Sequence, residues 1–275
     1  MNTNKKNNTI LFAIFGIVLV IVVGLLVFFA NRPKTSDNTA SSPSSSSQKT
    51  NYPTNYKLNA PVKNSTAALN DLPLPQLSTT VAQDEAEVQL KTTAGNINIK
   101  LFPKLAPNAV QNFLVLAKHG YYKNNEFFRV IKNFMIQSGD PSNQGTGSAS
   151  IFGGTPFNTE ISNQLYNIRG ALSLANTGQP TSSSSQFFIV QNAQDMTSQI
   201  QDKSKYPQKI IDAYKNGGYP SLDGSYTVFG QVISGMDIVD KIANAEVKAN
   251  SAGEASSPVK PIKITSVKII KDWKF

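Results

Sequence analysis

The 275-residue chain has no cysteine and a single histidine, His119. Without cysteine it can form no disulfide, thiol nucleophile or thiolate metal site, and one imidazole cannot build a histidine metal centre. A serine hydrolase triad lacks its partnered histidine, and the serine-rich loop Thr181 to Ser185 carries no Gly-x-Ser-x-Gly elbow. Gly145-Thr146-Gly147 lacks the spacing and following helix of a phosphate loop. Charged residues are 16% of the chain, too few for a charge-rich disordered protein. The net charge of +9 is spread out, +5 over residues 1–83 and +4 over residues 84–275, with no long basic run. No arginine-rich or aromatic-interleaved stripe appears, so nucleic acid is not an expected partner.

What is present falls into three parts behind a short amino-terminal segment, residues 1–9, expected on the cytoplasmic side. Ile10 to Ala30 is a run of 21 uncharged residues in which only Gly16 and Gly24 are not strongly apolar. As a helix it would span roughly 31 Å, the thickness of a bilayer core. It ends Phe28-Phe29-Ala30 with no small-x-small cleavage pattern and no lipobox cysteine, so an uncleaved membrane anchor is expected. Lys5 and Lys6 on one side are balanced by Arg32 and Lys34 on the other, which leaves orientation nearly undecided by charge. Residues 31–83 are dominated by Ser, Thr, Asn and Pro and read as a flexible linker. An anchor followed by such a tether suits an enzyme displayed on the external side of the cytoplasmic membrane.

From Asp84 to Phe275 the pattern becomes that of a folded domain. Val88 and Leu90, the Ala94-Gly95 turn, and Ile97, Ile99 and Leu101 predict a hairpin. Pro107, the apolar spacing of Val110, Phe113, Leu114 and Ala117, and Gly120 predict a helix over 107–118, with His119 capping its last carbonyls. A second helix is expected over 208–215, and Ser234 with Asp237 resembles a capping box opening a third. Short strand-like runs occur at Phe127–Ile131, Met135–Gln137, Ala171–Leu174, Phe187–Val190, Thr227–Val232 and Ile262–Ile270. Many short strands with few helices predict a mainly β, antiparallel barrel. In the last strand the apolar phase slips between Ile264 and Val267, which predicts a bulge.

Four segments, FFRVIKNFMIQSGDP at 127–141, GALSLAN at 170–176, SSQFFIV at 184–190 and LDGSYTVFGQV at 222–232, resemble the cyclophilin family of peptidyl-prolyl isomerases and stand in the family's order. The resemblance covers the chain from the first hairpin to the last strand. It implies a closed eight-stranded barrel capped by two helices and cis/trans isomerisation of X-Pro bonds, a reaction that needs no nucleophile, metal, nucleotide or other cofactor. By resemblance Arg129 is the donor to the prolyl nitrogen, and Gln137 helps hold that arginine and the substrate carbonyl. Phe134, Met135, Phe188 and Leu222 form the apolar floor for the proline ring. Backbone around Ala175 and Asn176 pairs with the residue before proline, and Gly145 and Gln186 line the neighbouring groove.

The chain also departs from the family pattern. Ser221 stands where a tryptophan is common and Tyr226 where a histidine is common, which alters the wall of the pocket and is expected to weaken ciclosporin-type inhibitors. Phe128 replaces a frequent histidine, Lys132-Asn133 a frequent Pro-Gly, and Asn192 to Pro220 is longer than in compact members. The expected partners are X-Pro segments of exported or unfolded proteins, met by a monomer. The alternative is a non-catalytic, membrane-tethered module that binds proline peptides in the same groove.

Overall fold

The computed structural model describes residues 66–275. The anchor expected at 10–30 and the linker up to residue 65 lie outside the described residues, among which no helix is long and apolar enough to cross a membrane. In chain order the elements are α1 (Thr66–Asn70), β1 (Ala86–Thr92), β2 (Asn96–Leu101), α2 (Pro107–Lys118), β3 (Arg129–Ile131), β4 (Met135–Ser138) and β5 (Phe157–Asn158). There follow β6 (Ala171–Leu174), β7 (Thr181–Ser183), β8 (Phe187–Val190), α3 (Gln208–Ala213), β9 (Val228–Ser234), α4 (Met236–Ala243), β10 (Val247–Ala249), β11 (Ala255–Pro258) and β12 (Ile264–Lys271).

Eight strands form one antiparallel sheet in the order β12-β1-β2-β9-β6-β8-β4-β3. Val88, Leu90, Ile97 and Ile99 alternate inward from the β1–β2 hairpin, as a period of two requires of a sheet with one covered face. The sheet curls but its edge strands β3 and β12 share no ladder. The closed barrel that the resemblance implies is therefore an open, curled sheet, linked between its edges by the chain just before β3: Glu126 bridges Lys263, Phe127 donates to the Ile262 carbonyl at 2.9 Å, and Ile264 donates to Asn125 at 2.9 Å. The bulge expected in the last strand is present, since the β1–β12 register skips Thr265 between Ile264 and Ser266.

Helix α2 has the bounds expected of it, and Val110, Phe113 and Leu114 join the inward strand residues in the main core together with Val239 and Ile242 of α4. The amino end of α2 is capped at long range: both oxygens of Glu160 accept from the Asn108 and Ala109 amides at 3.0 and 2.9 Å. Burial pushes this carboxyl up to about 7, and those two amides pull it back. His119 caps the other end, its Nδ1 lying 2.8 Å from the Val115 carbonyl. The capping box expected at Ser234 is not formed. Ser234 ends β9, and Gly235 takes the N-cap position with φ +91°, where a Cβ would come within 2.4 Å of the Asn96 carbonyl oxygen.

Two further expectations are corrected. The helix after Pro207 is shorter than the expected 208–215: it runs Gln208–Ala213 and tightens into a 3-10 turn, Tyr214–Asn216, within a satellite cluster with Tyr166, Ile168, Ile200, Ile210, Ile211 and Tyr214. The domain also begins before Asp84. Leu69 is buried, and the Gln76 side chain donates to Tyr166 O and Gln231 Oε1 at 2.9 Å each while accepting from the Tyr166 amide at 2.7 Å. A buried glutamine carries no hydrophobic signal, and two prolines and three threonines break the leucines of 66–83 into no helical or strand period, which is why the stretch reads as linker in sequence.

Candidate active site

The site is built on the β3–β4–β8 corner of the sheet. Register places Arg129 opposite Gln137, Gln137 opposite Phe188, and Phe188 opposite Ser173, so these four form one row across four strands. The neighbouring row, Val130, Ile136, Ile189 and Leu172, faces the other way and is buried in the main core. Alternation therefore presents Arg129 and Gln137 together on the face away from the core. The turn that joins β3 to β4 ends in Phe134. Asn133 there adopts φ +60°, a left-handed conformation that asparagine tolerates, so Lys132-Asn133 can make the turn without glycine.

Phe134, Met135, Phe188 and Leu222 come together in a second apolar cluster, distinct from the main core, with Ala175 and Tyr226 at its edge. The Arg129 Cζ lies 6.0 Å from the Phe134 ring centroid, which sets the guanidinium beside this floor. Tyr226 meets Phe188 edge-on at 5.6 Å. Burial raises the Tyr226 phenol above its ordinary range and the charge of Arg129 partly offsets this, so the hydroxyl stays neutral at pH 7. Sequence reasoning missed Tyr219, whose ring sits 4.4 Å from that of Phe134 and supplies an aromatic wall two residues before Ser221.

The polar side chains are wired differently from what the resemblance implies. Gln137 donates its amide to Gln186 Oε1 at 3.0 Å, and Gln186 in turn donates to the Gly145 and Gly147 carbonyls at 3.1 and 2.8 Å. Gln186 thus clamps the 145–147 loop to the sheet, with Gly145 at φ +82°, where a Cβ would come within 3.2 Å of the Phe128 ring. Arg129 is held by Glu254 instead: Nε donates to Oε2 at 2.7 Å and Nη2 to Oε1 at 2.8 Å. Asn176 spends its side chain on the Ser225 carbonyl and the Gly178 amide, which joins the end of β6 to the loop bearing Tyr226.

Leu222 lies in a 3-10 turn, Pro220–Leu222, whose anchor is the next residue. The Asp223 carboxylate accepts from the Asn167 amide at 2.7 Å, Asn167 Nδ2 at 3.0 Å and the Tyr214 hydroxyl at 2.5 Å. Burial pushes Asp223 up to about 6, against the pull of those donors.

This arrangement offers an apolar socket for a five-membered ring, one fixed cationic donor at its rim and a strand end, Ala175–Asn176, beside it. It can grip and polarise a planar amide and contains no nucleophile aligned with a base. Residues 87–269 match the family model described as cyclophilin type peptidyl-prolyl cis-trans isomerase/CLD. A Staphylococcus aureus protein named a peptidyl-prolyl cis-trans isomerase is 45% identical over 199 residues, covering 71% of this chain and 97% of the relative. Its Staphylococcus saprophyticus namesake is 43% identical over 201 residues, covering 72% and 98%. Crystal structures of a Cryptosporidium parvum cyclophilin type peptidyl-prolyl cis-trans isomerase are 31% identical and cover 68% of this chain and 99% of theirs. Their TM-scores are 0.55 and, in the presence of the dipeptide Ala-Pro, 0.54.

Proposed function

The chain belongs to the cyclophilin-type peptidyl-prolyl cis-trans isomerase family and isomerises X-Pro bonds, and we propose that Arg129 is the group that lowers the barrier. Rotation about the imide must break C–N resonance, at an uncatalysed cost of about 20 kcal/mol. In the planar ground state the nitrogen lone pair is delocalised and cannot accept a hydrogen bond. In the twisted state it is localised and can. A guanidinium fixed beside the proline socket therefore stabilises the transition state more than the substrate, which is the condition for catalysis.

The remaining residues hold the reactant. Phe134, Met135, Phe188 and Leu222 grip the ring and exclude water, Tyr219 and Tyr226 wall the socket, and the backbone at Ala175 and Asn176 pairs with the residue before proline in strand fashion. Gln137, with one amide N–H spent on Gln186, orients the substrate carbonyl with the other, and Gln186 lines the groove beside Gly145. The X-Pro substrate class is supported by the crystal structure of the related cyclophilin determined in the presence of the dipeptide Ala-Pro.

The observation that carries this reading is the single row Arg129–Gln137–Phe188 above the Phe134 floor. Exchange spectroscopy on an X-Pro peptide with the full chain tests it: Arg129→Ala is expected to lower kcat/KM about hundredfold. An unchanged rate in that variant overturns the assignment.

For location, the support is the sequence. A 21-residue apolar run followed by a Ser-, Thr- and Asn-rich stretch fits a single-pass anchor with the isomerase on the external side, serving exported proteins as they fold. Protease added to intact cells should then release the domain, and resistance until lysis would place it inside.

A further inference from the structure

Glu254 lies 125 residues from Arg129 in sequence, in the turn of the β10–β11 hairpin, and its carboxylate takes the guanidinium side-on through Nε and Nη2. The two side chains are only 12% and 19% exposed, which separates them from an ordinary surface ion pair. The hairpin is constructed to hold that carboxylate still. Asn250 accepts from the Glu254 amide at 3.0 Å through its side chain and donates its own amide to the Glu254 carbonyl at 2.8 Å. The β10–β11 register skips Ser256, and this fully buried bulged residue accepts from Asn250 Nδ2 at 3.2 Å. Against the upward push of burial, its hydroxyl helps Arg129 to hold the Glu254 carboxyl below its ordinary range. The side-on mode occupies one edge of the guanidinium and leaves Nη1 free for substrate.

We propose that Glu254 is a positioning residue that holds the Arg129 guanidinium in its working orientation, so that the β10–β11 hairpin, and not Gln137, is what pre-organises the catalytic donor. The proposal rests on the reading of Arg129 as that donor. Gln137 does not hold the guanidinium: its side-chain Nε2 donates to Gln186 Oε1, whereas the Arg129 side chain donates to Glu254. Two effects of the carboxylate oppose each other. It offsets part of the arginine charge, which weakens polarisation of the prolyl nitrogen. It also removes the rotamer freedom of a long side chain, and a donor that must reorganise during the reaction loses most of its catalytic value. Orientation outweighs charge here, because the residual attraction depends on placing one N–H within hydrogen-bond distance of one atom.

The test is exchange spectroscopy over a range of X-Pro peptide concentrations with the full chain and the variants E254A, E254Q, R129A and R129A/E254A. We expect E254A to lower kcat about tenfold with KM within about twofold of wild type. E254Q keeps one acceptor oxygen and should recover about a third of the wild-type kcat. In the R129A background, removing Glu254 should change nothing further. E254A at or above the wild-type kcat, or an additional loss in the double variant, overturns the proposal. R129A slow with E254A and E254Q both unchanged brings down this proposal alone, whereas R129A at the wild-type rate brings down the assignment of Arg129 and the proposal with it.

Discussion

The apolar cluster proposed as the proline socket has two walls made by different means. One is the row Arg129, Gln137 and Phe188 with Met135 beside it, set on three adjacent strands whose backbone ladders fix every Cβ. The other consists of Tyr219, Leu222 and Tyr226, with Glu254 behind Arg129, carried on turns and fixed by part-buried side-chain hydrogen bonds, Asp223 to Asn167 and Tyr214 on one side and Asn250 with Ser256 on the other. A strand wall is robust because its geometry is shared among many backbone bonds. A loop wall depends on a few polar groups, so single substitutions move it, and the chain's departures from the family pattern at Ser221 and Tyr226 fall there.

The sharpest way to break this contrast is to empty the strand wall. Phe188→Ala removes a ring that is 5% exposed and should cost about 3–5 kcal/mol of stability by urea unfolding, with a rise in KM as the floor opens. Asp223→Ala attacks the loop wall. It strands the Asn167 amide and Tyr214 hydroxyl without their acceptor and should cost about 2–3 kcal/mol, with kcat largely kept because Arg129 stays on its strand. If Asp223→Ala lowers kcat as much as Arg129→Ala does, the two walls are not separable.

The pH dependence sharpens the same point. The Asp223 and Glu160 carboxyls are raised to about 6 and about 7 in the fold, above their unfolded values. The folded state therefore binds more protons, and their contribution to stability is full below about pH 4 and is lost as pH rises through 6 to 7. Glu160→Gln should flatten the part of that slope nearest pH 7, and an unaltered slope would show that Glu160 titrates normally. The smallest effect concerns Tyr219→Ala, expected to raise KM about threefold with little change in kcat, since it trims one aromatic contact with Phe134 worth about 1 kcal/mol. A larger loss in kcat would make Tyr219 part of the catalytic face.

Much of the strand wall was legible in the residues, because a period of two dictates that Arg129, Met135 and Gln137 share a side once β3 and β4 pair. The helix at 107–118 and the bulge near Thr265 were legible for similar reasons of local pattern. The amino-terminal boundary was not, since Gln76 is buried by its hydrogen bonds and not by its hydropathy. The capping box at Ser234 was a plausible local pattern overruled by the close approach of Asn96 to Gly235.

By itself, then, the sequence determined the antiparallel strand content and the lack of thiolate chemistry, because each follows from residue type or from spacing within one element, while the proline socket was implied by the resemblance of four ordered segments to the cyclophilin family. Only the tertiary structure decided that the sheet's ends meet through residues 124–127, that Tyr219 walls the socket and that Glu254 holds Arg129. Those contacts join residues from distant parts of the chain, where no periodicity or motif links the partners and only the folded path of the backbone brings them within hydrogen-bond reach.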